Sequence, residues 1–342
     1  MNPVLAVNLR PTGPWRIGPD SGARNQVDAI YHSDSLYSAI TSALARLGLL
    51  DEWLEATARN GSPAVCFSSC FPIVDGIAYV VPPRTIWPPS SPALLAAHVR
   101  WKSARFVPLE IVRELLAGQS LDENQWAVDG ISGCLLPAGR PGPWRVGVRS
   151  NVALDRLTGA TERHSTACIE FRPGAGLWAV VSFADDAART RWIDPLKTAF
   201  RWLADSGFGG ERSRGWGRSE EPTFTDGTLP EVILGPPSSE PAQEAAAPGV
   251  QPQWLLSLFS PAPADAVDWD RGNYTVLERG GRVESPARWG DLKKHVNMVS
   301  EGSVLYAASA LRGVAPDVAP DGFAHPVFRA GFALAVPLPE VS

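Results

Sequence analysis

No uninterrupted apolar run reaches the roughly 18 residues that a membrane span needs. The opening MNPVLAVNLR also lacks the basic stretch and the longer apolar core of a signal peptide. A cytoplasmic chain with no membrane partner is expected. Cysteine is scarce: Cys66, Cys70, Cys134 and Cys168 are the only four in 342 residues. That is too few for a disulfide framework, and the C-x3-C pair lacks the second pair that marks a zinc site. Reduced, buried thiols and no metal or other cofactor are expected. Lysine is the third scarcity. Of 31 lysines and arginines only Lys102, Lys197, Lys293 and Lys294 are lysine, and arginine is the side chain suited to bidentate phosphate contact and base stacking. A GC-rich coding sequence explains the same bias, so arginine content alone selects no function.

Basic residues are absent altogether from 219 to 270, where nine acids fall. The formal net charge is −5, but outside that stretch 31 basic residues face 27 acidic ones. The sum therefore hides a net basic remainder that can hold a polyanion. Within the acidic stretch, 235–249 (GPPSSEPAQEAAAPG) carries Pro236, Pro237, Pro241 and Pro248 and almost no large apolar side chain. Such a segment cannot pack a core. We take 233–252 as a linker between domains at 1–232 and 253–342. Two domains suit the length at roughly 100–200 residues each, and 44% hydrophobic with 20% charged residues is ordinary globular composition.

Periodicity in the first segment gives an opening strand at 4–9 and a helix capped by Ser33 or Asp34. Leu36, Ile40, Ala43, Leu44 and Leu47 form its apolar face, and Gly48 ends it. A second helix over 108–116 has proline first and Gly118 beyond its end. A third carries Trp192, Leu196, Phe200 and Leu203, with Asp194 and Pro195 as internal cap and kink, and stops at Gly207. Strands are expected at 65–71, 77–81, 144–152, 168–171 and 177–183. The order suits an α+β fold with helices on one face of a mainly antiparallel sheet.

The densest chemical feature follows the third helix: 207–218 reads GFGGERSRGWGR, five glycines and three arginines in twelve residues. Gly209, Gly210, Gly215 and Gly217 allow close backbone approach. Arg212, Arg214 and Arg218 beside Ser213 can meet phosphates, and Trp216 can stack on a base. The loop follows a helix and has no G-K-S/T, so it is neither a dinucleotide fingerprint nor a P-loop. A solvated glycine loop is the alternative to nucleic-acid binding.

Helix followed by G-F-G-G-E-R-S-R-G-W-G-R resembles the glycine-rich signature of the CRISPR-associated RAMP superfamily. His32-Ser-Asp-Ser-Leu-Tyr-Ser-Ala-Ile40 resembles the opening helix of the type III-A (Csm) subunit that caps the 5′ end of the crRNA. The blocks 68–72, 79–83 and 102–116 are similar to that subunit's next blocks, in order. The segment 149–159 resembles the approach to the RAMP thumb hairpin, with 151–154 departing from the usual I-D-R run. Beyond the linker, 255–261, 279–281, 293–302 and 325–332 resemble the C-terminal half. The resemblance implies two ferredoxin-like (RRM-like) domains with antiparallel sheets, a glycine-rich loop and a thumb. It also implies a non-catalytic scaffold, in antiviral defence, for the repeat-derived 5′ handle of crRNA. Its expected partners are a large polymerase-like subunit and backbone RAMP subunits.

The chain has no H-D pair, G-G-D-D, H-E-x-x-H or G-x-S-x-G and no carboxylate cluster for two metals. His32 stays open to three readings: RNA or interface contact at a helix N-terminus that favours anions, a structural role, or metal-independent RNA cleavage with Tyr31 and Ser33. A protein-interaction module without RNA contact is the third function class. The expected RNA contacts are His32, Ser33, Arg149, Asn151, Arg156, the loop residues above, and Lys293 with Lys294 as a basic edge. His98, His164 and His295 stand alone, and His325 leads into an alternating run at 327–334 that reads as a core strand.

Overall fold

The computed structural model describes residues 2–19, 22–89, 101–236, 249–285 and 288–339. Val4, Leu5, Val7 and Leu9 bury the opening strand β1 (Asn2–Leu9). Helices α1 (Ser33–Arg46) and α2 (Leu50–Ala56) follow, then β2 (Val65–Phe67), β3 (Phe71–Val74), β4 (Ile77–Val80) and β5 (Val107–Pro108). Next come α3 (Leu109–Leu116), β6 (Trp126–Val128), β7 (Leu135–Pro137), β8 (Trp144–Leu154), β9 (Thr161–Phe171) and β10 (Ala175–Phe183). Helix α4 (Asp186–Ser206), β11 (Thr223–Leu229) and the single turn α5 (Glu231–Leu234) end the first half.

A seven-stranded antiparallel sheet runs β11-β1-β10-β3-β4-β5, with β2 also beside β10. β10 is the apolar run AGLWAVVSF and is buried along its whole length. The path β1, α1, β2/β3, β10, α4, β11 is β-α-β-β-α-β with its strands in the order fourth, first, third, second. Asp185, not Asp194, caps α4 by accepting from the Ala188 N–H at 2.7 Å, and the helix continues through Pro195. The cap of α1 is His32 rather than Ser33 or Asp34. Both expected cap residues turn to other partners, described below.

The second half contains β12 (Gln251–Leu255), β13 (Val267–Asn273), β14 (Val276–Arg279), β15 (Arg282–Ser285), β16 (Arg288–Leu292), β17 (Val296–Val299), β18 (Val304–Ala307) and β19 (Ala335–Pro337). Its main sheet runs β13-β18-β12-β19, antiparallel throughout. Read from β19, this is again fourth, first, third, second. The crossovers differ: 256–266 and 308–334 are irregular, and no described residue of this half is helical. Pro261, Pro263, Pro316 and Pro320 stand in those crossovers, where each would remove a helical hydrogen bond and clash with the preceding turn. This half therefore repeats the strand order of the first without its helices. The strand expected at 327–334 is also absent, apart from one bridge between Asp317 and Phe328.

The expected linker lies largely at 237–248, outside the described residues. The halves it joins share one core. Trp254, Leu256, Val304 and Phe332 belong to the same apolar cluster as Leu36, Tyr37 and Phe67, and Tyr37 meets Phe332 edge-on at 5.7 Å. The Trp254 indole N–H donates to the Val81 carbonyl at 3.1 Å. A smaller core of Leu255, Phe259, Val299, Leu305 and Leu311 forms within the second half. Among the described residues no helix is long and apolar enough to cross a membrane, and all four cysteines are free thiols.

Candidate nucleic-acid interface

The glycine loop leaves α4 at Gly207 and folds back on residues 12–16. Gly210 donates its N–H to the Arg16 carbonyl (2.9 Å), Gly217 to that of Pro14 (2.9 Å) and Phe208 to that of Gly217 (3.0 Å). At Gly217, φ is +81°, and an added Cβ would stand 2.0 Å from the Phe208 carbonyl oxygen. Glycine is needed there for backbone packing inside the protein, not for approach to an anion. Phe208 stacks on Trp15 at 5.2 Å, and Trp216 is only 9% exposed. Trp216 is thus buried in the free chain, a correction to its expected role as an open base platform. The polar residues point the other way: Ser213, Arg214 and Arg218 are exposed and Arg212 is half-buried. Arg214 pairs with Glu211 at 3.1 Å.

The same strip of chain carries the base of the β8–β9 hairpin. Trp15 bridges Ile169, and the buried Arg16 guanidinium donates to the carbonyls of Ala167 (2.9 Å), Arg24 (2.9 Å) and Ala23 (3.0 Å). Burial pulls the Arg16 pKa down, opposed by Glu211; with a fourth bond to the Gln26 carbonyl at 3.3 Å, the guanidinium ties the 23–26 segment to the hairpin, while the Arg16 backbone carbonyl holds the glycine loop at Gly210. The hairpin pairs Trp144 with Phe171 through Leu154 with Thr161 in unbroken register. Arg145 and Arg149 share Glu170 near its base, while Asn151, Arg156 and Arg163 lie further out and exposed or half-exposed. Arg24, Arg145, Arg149, Arg214 and Arg218 are exposed along these connected segments, with Arg145 and Arg149 on Glu170 and Arg214 on Glu211.

His32 and Ser33 go elsewhere. His32 is 2% exposed, and its ring sits between Glu301 (Nδ1, 2.7 Å) and Asp28 (Nε2, 3.2 Å). Burial works against the imidazolium, but the Glu301 charge and the two hydrogen bonds outweigh it and raise the pKa to about 9. Burial likewise lifts the Glu301 carboxyl, and His32 and Ser69 override it and hold it below the carboxylate range. Ser33 accepts from the Leu258 N–H at 3.0 Å and donates its own N–H to Ser69 at 2.8 Å. Asp34, 4% exposed, takes Arg279 at 2.9 and 3.1 Å and also Arg329. All three residues of the His-Ser-Asp run thus clamp the second half onto the N-terminus of α1. The expected RNA contact by His32 and Ser33 is corrected accordingly. With both ring nitrogens engaged and Tyr31 also buried, this cluster offers no accessible general base.

Residues 250–338 match the family described as CRISPR Csm4 C-terminal domain. Along the whole chain the fold is that of Csm4 chains: a chain of the Csm3-Csm4 subcomplex in the type III-A CRISPR-Cas interference complex is 16% identical, with TM-score 0.63 and 99% and 100% of the two chains covered. A chain of the Csm1-Csm4 cassette in complex with cA4 is 18% identical, with TM-score 0.58 and 99% of each covered. Another from the cassette with pppApA is 17% identical, with TM-score 0.58 and 98% of each covered. No curated protein matches the sequence.

Within the matched segment, Lys294 pairs with Asp321 at 2.8 Å and is exposed, while Lys293 is half-buried and donates its N–H to the Gly281 carbonyl. His295 meets Glu278 at 2.7 Å, and His325 meets Ser285 at 2.7 Å. Arg279, Glu301 and Arg329 are the residues that sequence reasoning missed. Two of them lie in blocks, 279–281 and 325–332, that carried the resemblance, and the third in 293–302. Gly302 explains part of that last block: an added Cβ would lie 2.5 Å from Val81.

Proposed function

We propose that the chain is a crRNA-binding scaffold of a type III-A CRISPR effector complex, built on two ferredoxin-like sheets. It grips the repeat-derived 5′ handle with the glycine loop and hairpin base. The observation that carries the reading is that Arg145, Arg149, Arg214 and Arg218 are exposed on the hairpin base and glycine loop, which the 14–16 backbone holds side by side. Phosphates are the ligand such a face fits. The Csm4-like fold supports placing it beside a large polymerase-like subunit and backbone RAMP subunits, as the Csm1-Csm4 and Csm3-Csm4 assemblies pair their own chains. The hairpin, with Arg149, Asn151 and Arg156 along it, lies on the RNA path as a thumb. The role is one of binding and assembly, since His32 is committed to holding the two halves together.

Co-expression with the large subunit and a CRISPR array tests this. The copurified RNA should share one repeat-derived 5′ end, unchanged after incubation with the chain in EDTA. RNA of random 5′ ends, or EDTA-insensitive cleavage lost in His32→Ala, would overturn it.

A further inference from the structure

The backbone at Trp15 and Arg16 has the hairpin root on one side and the glycine loop on the other. Trp15 exchanges hydrogen bonds with Ile169 (2.9 and 2.7 Å), and Gly210 donates to the Arg16 carbonyl at 2.9 Å. The chain then leaves β9 and returns to it nearer the hairpin tip, where the Ala167 N–H donates to the Arg24 carbonyl at 2.8 Å. The Asp28 N–H closes this excursion on the Ile17 carbonyl at 2.9 Å. Arg16, 8% exposed, shapes the returning segment, because its guanidinium takes the carbonyls of Ala23, Arg24 and Gln26 together with that of Ala167. Those main-chain groups are used up inside, and the side chains of Arg24, Asn25 and Gln26 are left exposed. None of the three was among the expected RNA contacts.

Among the described residues Arg24 pairs with no carboxylate, whereas Arg145 and Arg149 share Glu170 and Arg214 has Glu211. The amides of Asn25 and Gln26 likewise have no hydrogen-bond partner among them. The two kinds of side chain suit different ligand groups. A phosphate only accepts, so it matches a guanidinium. A carboxamide offers a donor beside an acceptor, the pattern on the Watson–Crick edge of an unpaired base. A contact to a base edge carries sequence information, and a contact to phosphate carries none. With its backbone already held by Arg16, the segment has little ordering left to do when it binds.

We propose that Asn25 and Gln26 read the identity of one base of the handle RNA, that Arg24 takes the adjoining phosphate, and that Arg16 is the positioning residue that presents all three. The proposal rests on the scaffold reading above and gives that site its sequence specificity. The test titrates onto the full chain a panel of handle RNAs, each with one base replaced. Wild type should lose about tenfold in affinity or more at one position. Asn25→Ala/Gln26→Ala should bring the original RNA down to the affinity of the replaced one, with salt slope and Tm unchanged. Arg24→Ala should weaken every RNA of the panel alike and flatten the slope of log affinity against log salt by about 0.7. Arg16→Lys keeps the charge, but three ammonium donors cannot hold four carbonyls, so discrimination should fall with the salt slope retained. Should Arg16→Lys fail to fold, the double variant decides alone. Equal affinity of wild type for the whole panel, or full discrimination in the double variant, overturns the proposal and leaves handle binding standing. A uniform loss across the panel in the double variant overturns it in favour of a backbone contact. A wild-type chain that holds no handle RNA overturns the scaffold reading itself, and this proposal with it.

Discussion

Asp34→Ala removes the one carboxylate that two buried guanidiniums share. In the folded chain Arg279 and Arg329 meet that carboxylate from the second half, 245 and 295 residues along the sequence. Breaking a buried ion pair by deleting one partner costs about 3–5 kcal/mol, because the remaining charge is left desolvated. Two stranded arginines place this variant at the upper end. Asp34 also lies in the first turn of α1, where an acid adds about 0.3–1 kcal/mol through the helix dipole. One kcal/mol moves Tm by about 2–4 °C for chains of 150–250 residues and less for a longer one, so a fall of roughly 5–15 °C is expected. The assay is thermal and urea unfolding with a double-mutant cycle. Arg279→Met relieves part of the stranded charge, so Asp34→Ala/Arg279→Met should cost at least about 1 kcal/mol less than the two single changes added. A Tm within 2 °C of wild type for Asp34→Ala, or strict additivity, would refute the clamp.

His32 binds its proton more tightly folded than unfolded, so its contribution is complete below about pH 6.5 and is lost as pH rises through about 9. Stability measured between those values should decline by up to about 1.4 kcal/mol per pH unit, and His32→Gln should flatten that slope; equal slopes would contradict the assignment. Trp216→Ala should cost about 3–5 kcal/mol of unfolding free energy as a core deletion, against the negligible cost of losing a solvent-exposed base platform. Gly217→Ala should destabilise the free chain measurably, read as a lower urea midpoint, because both its φ of +81° and the Phe208 carbonyl at 2.0 Å from its Cβ oppose it.

The reading of the sequence succeeded where a signal is local. α1, α3 and α4 announce themselves by apolar spacing and by the glycines that end them, and β10 by an unbroken apolar run. It failed where partners come from far away. Nothing near His32, Ser33 and Asp34 tells that Glu301, Leu258, Arg279 and Arg329 arrive to use up their hydrogen bonds, so an N-cap and an anion site were the natural expectations. Trp216 was misjudged for the same reason: between two arginines it looks solvent-directed, and only the folded chain shows it to be 9% exposed. The missing helices of the second half were legible in Pro261, Pro263, Pro316 and Pro320, had the proline spacing been weighed against the expected fold. Of the loop arginines, Arg214 and Arg218 reach solvent and Arg212 is half-buried.

Those arginines carry the central claim, and one titration addresses it most directly. Handle RNA is titrated onto the full chain over a series of salt concentrations, for wild type and for Arg212→Ala/Arg214→Ala/Arg218→Ala, with folding checked by thermal melting. Three phosphate contacts at roughly 0.7 each on a single strand should flatten the slope of log affinity against log salt by about 2, with Tm little changed. Unaltered affinity and slope in the folded triple variant would contradict the account and remove the glycine loop as the handle site.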